Sequence, residues 1–488
     1  MAADVSSDAG SATNRPWQVE VNGINRVPES ERTGRLADLF WIWFAANIGI
    51  LAVVYGAVIL SFGMNLWQGI LVVLLGSASF FLVGVFTVAG RDGGAPMMTL
   101  SRAVFGIYGN VLPNAVSWIS LVGWETVNVI TGTLALMALF AMWVSGSTVL
   151  LAIVAMVIMV GLTIMAGLLG QATLVVIQTW ASYIFGVLTF LVIALLIPGT
   201  NWSALLARPT GPWLTGFIPA LTIVIAGTGL SWANAAADYS RYLPRRTRSG
   251  GVVWSTTLGG AIPLVVLMFT GMLLASHNTA LATSANPIAV IKAALPSWAA
   301  IPYLITAAGG LVVEADLSLY SSGLNLLNMF VPWPRYRTVV VDAVIMVAGT
   351  VYVVLVARNF FGPFESFLVV LGIGLAAWAG VFLSHQLWRR APGDAYSDRL
   401  LYARAGDGGK PTRTVNLPAV VSWIVGVVVG LLFTSSPFFN GPLATGVFAS
   451  SSLEVVFAFV VAAGLYLATS RPAAAASAQG TAVPTEGG

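Results

Sequence analysis

The chain reads as an all-α integral membrane protein with about twelve transmembrane helices, on three observations. Of its 488 residues 58% are hydrophobic and 8% charged, against roughly 25% charged in a soluble domain, so water is not its main solvent. Apolar stretches of about 20 residues recur along most of the length, each enough to cross a hydrocarbon core roughly 30 Å thick. In lipid the backbone must satisfy its own hydrogen bonds, and long continuous runs select helices over the short alternating strands of a barrel. Third, 19 of the 22 basic residues fall on one side if the N-terminus is cytoplasmic, with Arg208, Lys292 and Arg358 the exceptions. That bias predicts cytoplasmic termini and supports an even number of spans.

In order, the expected spans are 37–61, 66–89, 110–143, 147–168, 174–198 and 214–237, then 253–276, 299–327, 338–357, 365–388, 417–436 and 450–470. Residues 1–35 are polar and carry no signal-peptide core, so a disordered cytoplasmic N-terminus and an uncleaved first span are expected. The third and eighth runs are long enough to be tilted or interrupted. Segment 389–416 is a cytoplasmic loop, spans eleven and twelve occupy 417–470, and the Ala/Ser/Thr/Gly/Pro-rich tail 471–488 reads as disordered. No segment is large enough to be a soluble domain, so function must sit in the bundle.

Ionisable groups inside a membrane cost at least about 2.5 kcal/mol each at a helix centre, which makes them functional candidates. Glu125 lies in the third span, beside Trp124, and Asn128 follows Trp124 by one turn on the same face. An indole that stacks on a ring, with a carboxamide offering both a donor and an acceptor to its edge, suits a flat polar ligand. The eighth span carries Glu314 and Asp316; Glu314 shares a face with Ser318, whereas Asp316 points elsewhere. The alternative for each acid is a hydrogen-bonded tie between helices.

The first span places Asn47 among small residues, and the sixth reads Gly227-Thr228-Gly229-Leu230-Ser231-Trp232. Such glycine-interrupted segments five helices apart point to broken helices around a midplane site in an inverted-repeat carrier; the alternative is close helix packing through small residues. Two histidines, His277 and His385, have no metal-ligand spacing, and there is no cysteine, so neither a metal site nor an embedded enzyme is expected. A sensor would need an output module, and a passive channel would not need intramembrane acids.

Residues Asn22-Gly23-Ile24 to Glu29-Ser30-Glu31-Arg32, Phe40 to Asn47, Ala237-Asp238-Tyr239-Ser240-Arg241-Tyr242-Leu243-Pro244 and Leu319 to Leu326 resemble the nucleobase:cation symporter-1 family, in its purine-cytosine permease branch. The resemblance covers about residues 22–470. It implies a leucine-transporter-like fold of two inverted five-helix repeats, 36–198 and 199–388, with two peripheral helices, working by alternating access. It places substrate among Asn47, Trp124, Asn128, Gly229, Ser231, Trp232 and Ser318. The family's second stacking aromatic falls at Gly229 here, with Trp232 the nearest ring. Sodium-coupled members carry hydroxyls where this chain has Val313 and Glu314, so Glu314, with Asp316 and Glu125, is expected to couple transport to protons, sodium being the alternative.

The expected substrate is cytosine or a purine, with uracil, hydantoin or allantoin as alternatives, and no cofactor. Partners are a nucleobase-like molecule, a coupling cation and the bilayer, not nucleic acid; oligomeric state is not legible. High Ala, Gly and Arg usage points to a GC-rich bacterial source and hence the cytoplasmic membrane.

Overall fold

A computed structural model of the chain describes all residues except 1–14, 19, 21, 146, 277, 285, 358–360, 391–395, 403–413, 437–438 and 471–488. His277, Arg358, Arg404, Lys410, Arg413, Arg471 and the tail therefore lie outside the described residues. Those described are helical or irregular, apart from one isolated bridge between Ser435 and Asn440. Among them nine helices are long and apolar enough to cross a membrane, and four shorter apolar helices are Leu36–Ala45, Leu51–Ser61, Leu417–Phe433 and Glu454–Thr469.

The third and eighth spans are not interrupted. They form continuous helices Val111–Phe140, of 30 residues, and Ala300–Asn328, of 29. At 1.5 Å per residue each is about 45 Å long, more than the hydrocarbon core requires. They pack along one another more extensively than any other helix pair and form the spine of the bundle.

The first and sixth spans do break. The first divides into Leu36–Ala45 and Leu51–Ser61, and the Asn47 carboxamide turns back to donate to the Trp43 carbonyl at 2.8 Å. The sixth divides into Ile218–Gly227 and Gly229–Ala233 at Thr228, whose φ of −124° and ψ of −99° leave the helical region. An unexpected third break lies in the second span, at Ser79 between Leu66–Ala78 and Phe80–Gly93. These breaks meet: a Cβ on Gly229 would lie 2.4 Å from Ser79 Oγ, so only glycine allows the two backbones this approach.

The N-terminal segment departs from expectation. Where described, it is ordered from Glu20 onward rather than disordered, and it lies across one end of the bundle. Its polarity reflects pairing with buried charges, not solvation: Glu20 and Arg241 form a fully buried ion pair at 2.6 Å. Composition reads such a segment as solvated because the partner lies more than two hundred residues away.

Candidate functional site

A narrow cavity of about 20 Å³ lies where the broken first and sixth spans face the third and eighth. Its walls include Asn47, Gly49, Tyr55, Trp124, Thr228, Trp232 and Glu314. In this closed arrangement it has room for about one water, and the lining is mainly apolar and aromatic with a few convergent polar groups. Continuous helices hold Trp124 and Glu314 rigidly; the helix breaks supply the facing backbone.

Glu314 is directed at the break in the first span, so closely that a Cβ on Gly49 would come within 2.8 Å of its Oε2. Asn128 is fully buried beside this carboxyl group, yet its amide nitrogen and oxygen make no hydrogen bond of good geometry. A buried carboxamide in that state costs about 1–3 kcal/mol unless something else satisfies it. Trp232 reaches the cavity with its indole edge-on to Trp43, ring centroids 5.6 Å apart.

The structure thus brings together Asn47, Trp124, Trp232 and Glu314 around one cavity, with Asn128 against Glu314. It separates the other expected residues from the lining. Gly229 faces Ser79, where backbone contact rather than ligand contact explains it. Ser231 donates to the Thr228 carbonyl at 2.9 Å, holding the broken turn. Ser318 and Asp316 are fully buried, and among the described residues neither Ser318 Oγ nor either Asp316 oxygen has a hydrogen-bond partner. Glu125 points away from the cavity its neighbour Trp124 lines, and receives a hydrogen bond geometry of 2.6 Å with Ser322 Oγ. His385 contacts the Tyr466 hydroxyl at 2.9 Å, away from this site.

The sequence matches the family model described as "Permease for cytosine/purines, uracil, thiamine, allantoin" over residues 26–459. The chain belongs to this permease family. It is 26% identical over 467 residues to YxlA of Bacillus subtilis, a protein assigned as a purine-cytosine permease, covering 93% of this chain and 96% of that one. The purine-cytosine permease FCY2 of Saccharomyces cerevisiae is 27% identical over 281 residues, 54% of this chain and 51% of its own. Among solved structures, the nucleobase-cation-symport-1 transporter Mhp1, closed with bromovinylhydantoin bound, superposes with a TM-score of 0.68 at 18% identity, covering 94% of both chains. A sodium-coupled sialic acid symporter superposes with a TM-score of 0.63 at 13% identity, covering 92% of both. At these identities the structures establish the fold alone, which this chain shares over most of its length.

In this permease the segment after the sixth span is a joint rather than a binding loop. Asp238 accepts from the Met97 backbone N–H at 2.7 Å and so caps the buried helix Met97–Phe105. Burial raises its carboxyl to about 6, against the lowering effects of that N–H, Ser321 and Arg241. Tyr239 donates to the Leu317 carbonyl at 2.7 Å, and Ser240 to the Thr87 carbonyl at 2.8 Å. Arg241 donates to Glu20, to the Gly23 carbonyl at 2.6 Å and to the Tyr320 hydroxyl at 2.7 Å, while Tyr242 donates to Glu20. This network ties the N-terminal strap to the sixth and eighth spans. A second, apolar cavity of about 30 Å³ lies between the first, fifth, seventh and eighth spans, lined by Ile48, Val53, Ile193, Leu267 and Tyr303 among others.

Sequence reasoning missed Gly49, Tyr55 and Thr228 in the lining, and it missed Asp342 in the ninth span. The rule that singled out Glu125 and Glu314, an ionisable residue within an apolar run, applies equally to Asp342. Tyr55 had a weaker signal, a phenol in the middle of the first span.

Proposed function

We propose that this permease imports a nucleobase, cytosine or a purine, by proton symport, with alternating access between two inverted repeats of 36–198 and 199–388 in the cytoplasmic membrane, both termini cytoplasmic. The cavity supports a flat heterocycle: Trp124 and Trp232 supply faces for stacking, and the unsatisfied Asn128 amide supplies one donor and one acceptor for a ring edge. The role is carriage rather than chemistry on the substrate.

The observation that carries the coupling is the place of Glu314, a carboxyl group at once in the cavity wall, beside Asn128 and against the break at Gly49. An ionised carboxylate there is poorly compensated in an apolar site. Taking up a proton neutralises it, lets the first and eighth spans close around substrate, and frees Asn128 for the ligand. Releasing the proton on the cytoplasmic side reverses this and expels the ligand. Trp124, Asn128, Trp232 and Asn47 form the substrate site in this reading. Ser318 and Asp316 line the eighth span behind it, and Asp238 and Arg241 hold the gate rather than the ligand.

Uptake of radiolabelled cytosine, adenine, hypoxanthine, uracil and allantoin into proteoliposomes, under imposed proton or sodium gradients, tests this. Proton-driven accumulation of cytosine or a purine is expected. Accumulation driven by sodium alone would keep the transporter and remove the coupling role of Glu314.

A further inference from the structure

On the two central helices, one of which carries Glu314, and on the ninth span packed against them, two acids share a single hydroxyl. Ser322 Oγ on the eighth span lies 2.6 Å from Glu125 Oε1 on the third and 2.8 Å from Asp342 Oδ2 on the ninth. All three side chains are fully buried. A serine hydroxyl has one proton to donate. It can satisfy one carboxylate, and the other oxygen at hydrogen-bond distance must then bring a proton of its own. Two ionised carboxylates are incompatible with this geometry, because one of the short contacts would set lone pair against lone pair.

No cation pairs with either acid among the described residues. The third span carries no other charged residue, and the fourth, packed on it, carries none. The eighth span contributes Glu314 and Asp316, both acids. The ninth has Arg337 at its start, and Lys292, on the helix packed at the far end of the third span, reaches Ala138 instead. On the tenth, His385 is engaged by Tyr466. Tyr239, from the segment after the sixth span, donates to Leu317. The acid and the base of the pair are distinguishable: Asp342 also accepts from Trp118 Nε1 at 2.9 Å, whereas Glu125 Oε2 is buried without a partner. Asp342 is thus the better-solvated anion and Glu125 the acid.

We propose that Glu125, Ser322 and Asp342 form a second, buried proton-binding site that holds one proton between two carboxyl groups and ties the ninth span to the third and eighth. In the resting arrangement Glu125 O–H donates to Ser322, and Ser322 donates to the Asp342 carboxylate. Transfer along the chain breaks the Glu125 O–H bond as a new Ser322 O–H bond forms, while the original Ser322 proton passes to Asp342. Two protons each move one step, the net transfer is one proton from Glu125 to Asp342, and no net charge is created. Loss of the proton leaves two anions on one hydroxyl and drives the ninth span from the other two. The site is independent of the Glu314 mechanism, although it lies on the same two central helices.

Infrared spectroscopy of the purified full-length protein in a Glu314→Gln background, which removes the cavity acid, reads this site directly. A protonated-carboxyl C=O band is expected; Glu125→Gln should abolish it, because Glu125 is the acid, whereas Asp342→Asn removes the anion that polarises the chain and should shift the band. Ser322→Ala keeps both acids and should shift the band, which preserves the test if Asp342→Asn does not fold. A band unchanged by all three substitutions, or one that disappears on adding sodium, would overturn the proposal. Neither result bears on whether Glu314 couples transport, which the uptake assay decides separately.

Discussion

The two ends of the sixth span treat buried polarity in opposite ways. At the joint that follows it, Arg241 is fully buried and donates to Glu20, Gly23 and Tyr320, while Glu20 also accepts from the Gln171 backbone N–H at 3.0 Å and from Tyr242. At its break, the cavity keeps Asn128 without a well-formed hydrogen bond and Glu314 without an ion-pair partner among the described residues. Burial of polar groups is equally deep in both places; what differs is the pairing of charge, although Arg241 Nε itself has no acceptor among the described residues. Paired charges make a latch, and unpaired ones make a site that a ligand or a proton completes.

The strongest attempt to break this contrast is Glu314→Gln. It keeps the shape of the cavity and removes the exchangeable proton, so concentrative uptake should fall to background while substrate exchange across the membrane persists. Unchanged pH-driven accumulation would show that the unsatisfied region is not where coupling occurs. At the latch, Glu20→Ala or Arg241→Ala leaves one buried charge alone and should cost about 3–5 kcal/mol, read as a lowered thermal unfolding midpoint. A Glu20→Gln, Arg241→Met double variant should be less damaging than either, since no orphan charge remains.

A smaller effect is expected in the cavity from Trp124→Ala. Loss of one stacking face should weaken binding by about 1–3 kcal/mol, roughly tenfold to a hundredfold, in a competition assay with labelled nucleobase. The fold should be little altered, which is the reverse of the latch variants. Asp238 sharpens the comparison from the other side, as a buried acid that is satisfied by a helix N-terminus. Its carboxyl is raised by burial to about 6 from 3.8, so the native state holds this proton more tightly than the unfolded chain. The resulting stability is fully present below the unfolded value and is lost as pH rises through about 6. Thermal stability of Asp238→Asn should be flatter than wild type across that interval, with a capping loss of about 1 kcal/mol or less.

Much of this was legible along the chain. The apolar runs fall on helices or pairs of half-helices, nine of the described helices being long and apolar enough to cross a membrane, because the lipid requirement acts on every residue of a span and leaves a local signature. The breaks at Asn47 and Thr228 were legible too, since small and polar residues among long apolar runs have few other uses. Trp124 and Glu314 followed from types that are costly in lipid. Gly229 misled because a glycine marks close approach without saying what approaches, and Ser79 lies a hundred and fifty residues away. The strap misled for the same reason: polar residues 20–35 read as solvated until Arg241 is seen beside Glu20.

What the sequence by itself determined is therefore the solvent, the class of fold, the family and the helices that carry function, because each depends on composition, period or motif within one segment. Only the tertiary structure decided which polar groups are paired. Glu125, Glu314 and Asp316 are alike as acids within apolar runs, yet one shares the Ser322 hydroxyl with Asp342, one faces a helix break in the cavity, and one has no hydrogen-bond partner among the described residues. That distinction depends on where neighbouring helices bring their side chains, and the electrostatics of a buried charge is set by those neighbours rather than by its own segment.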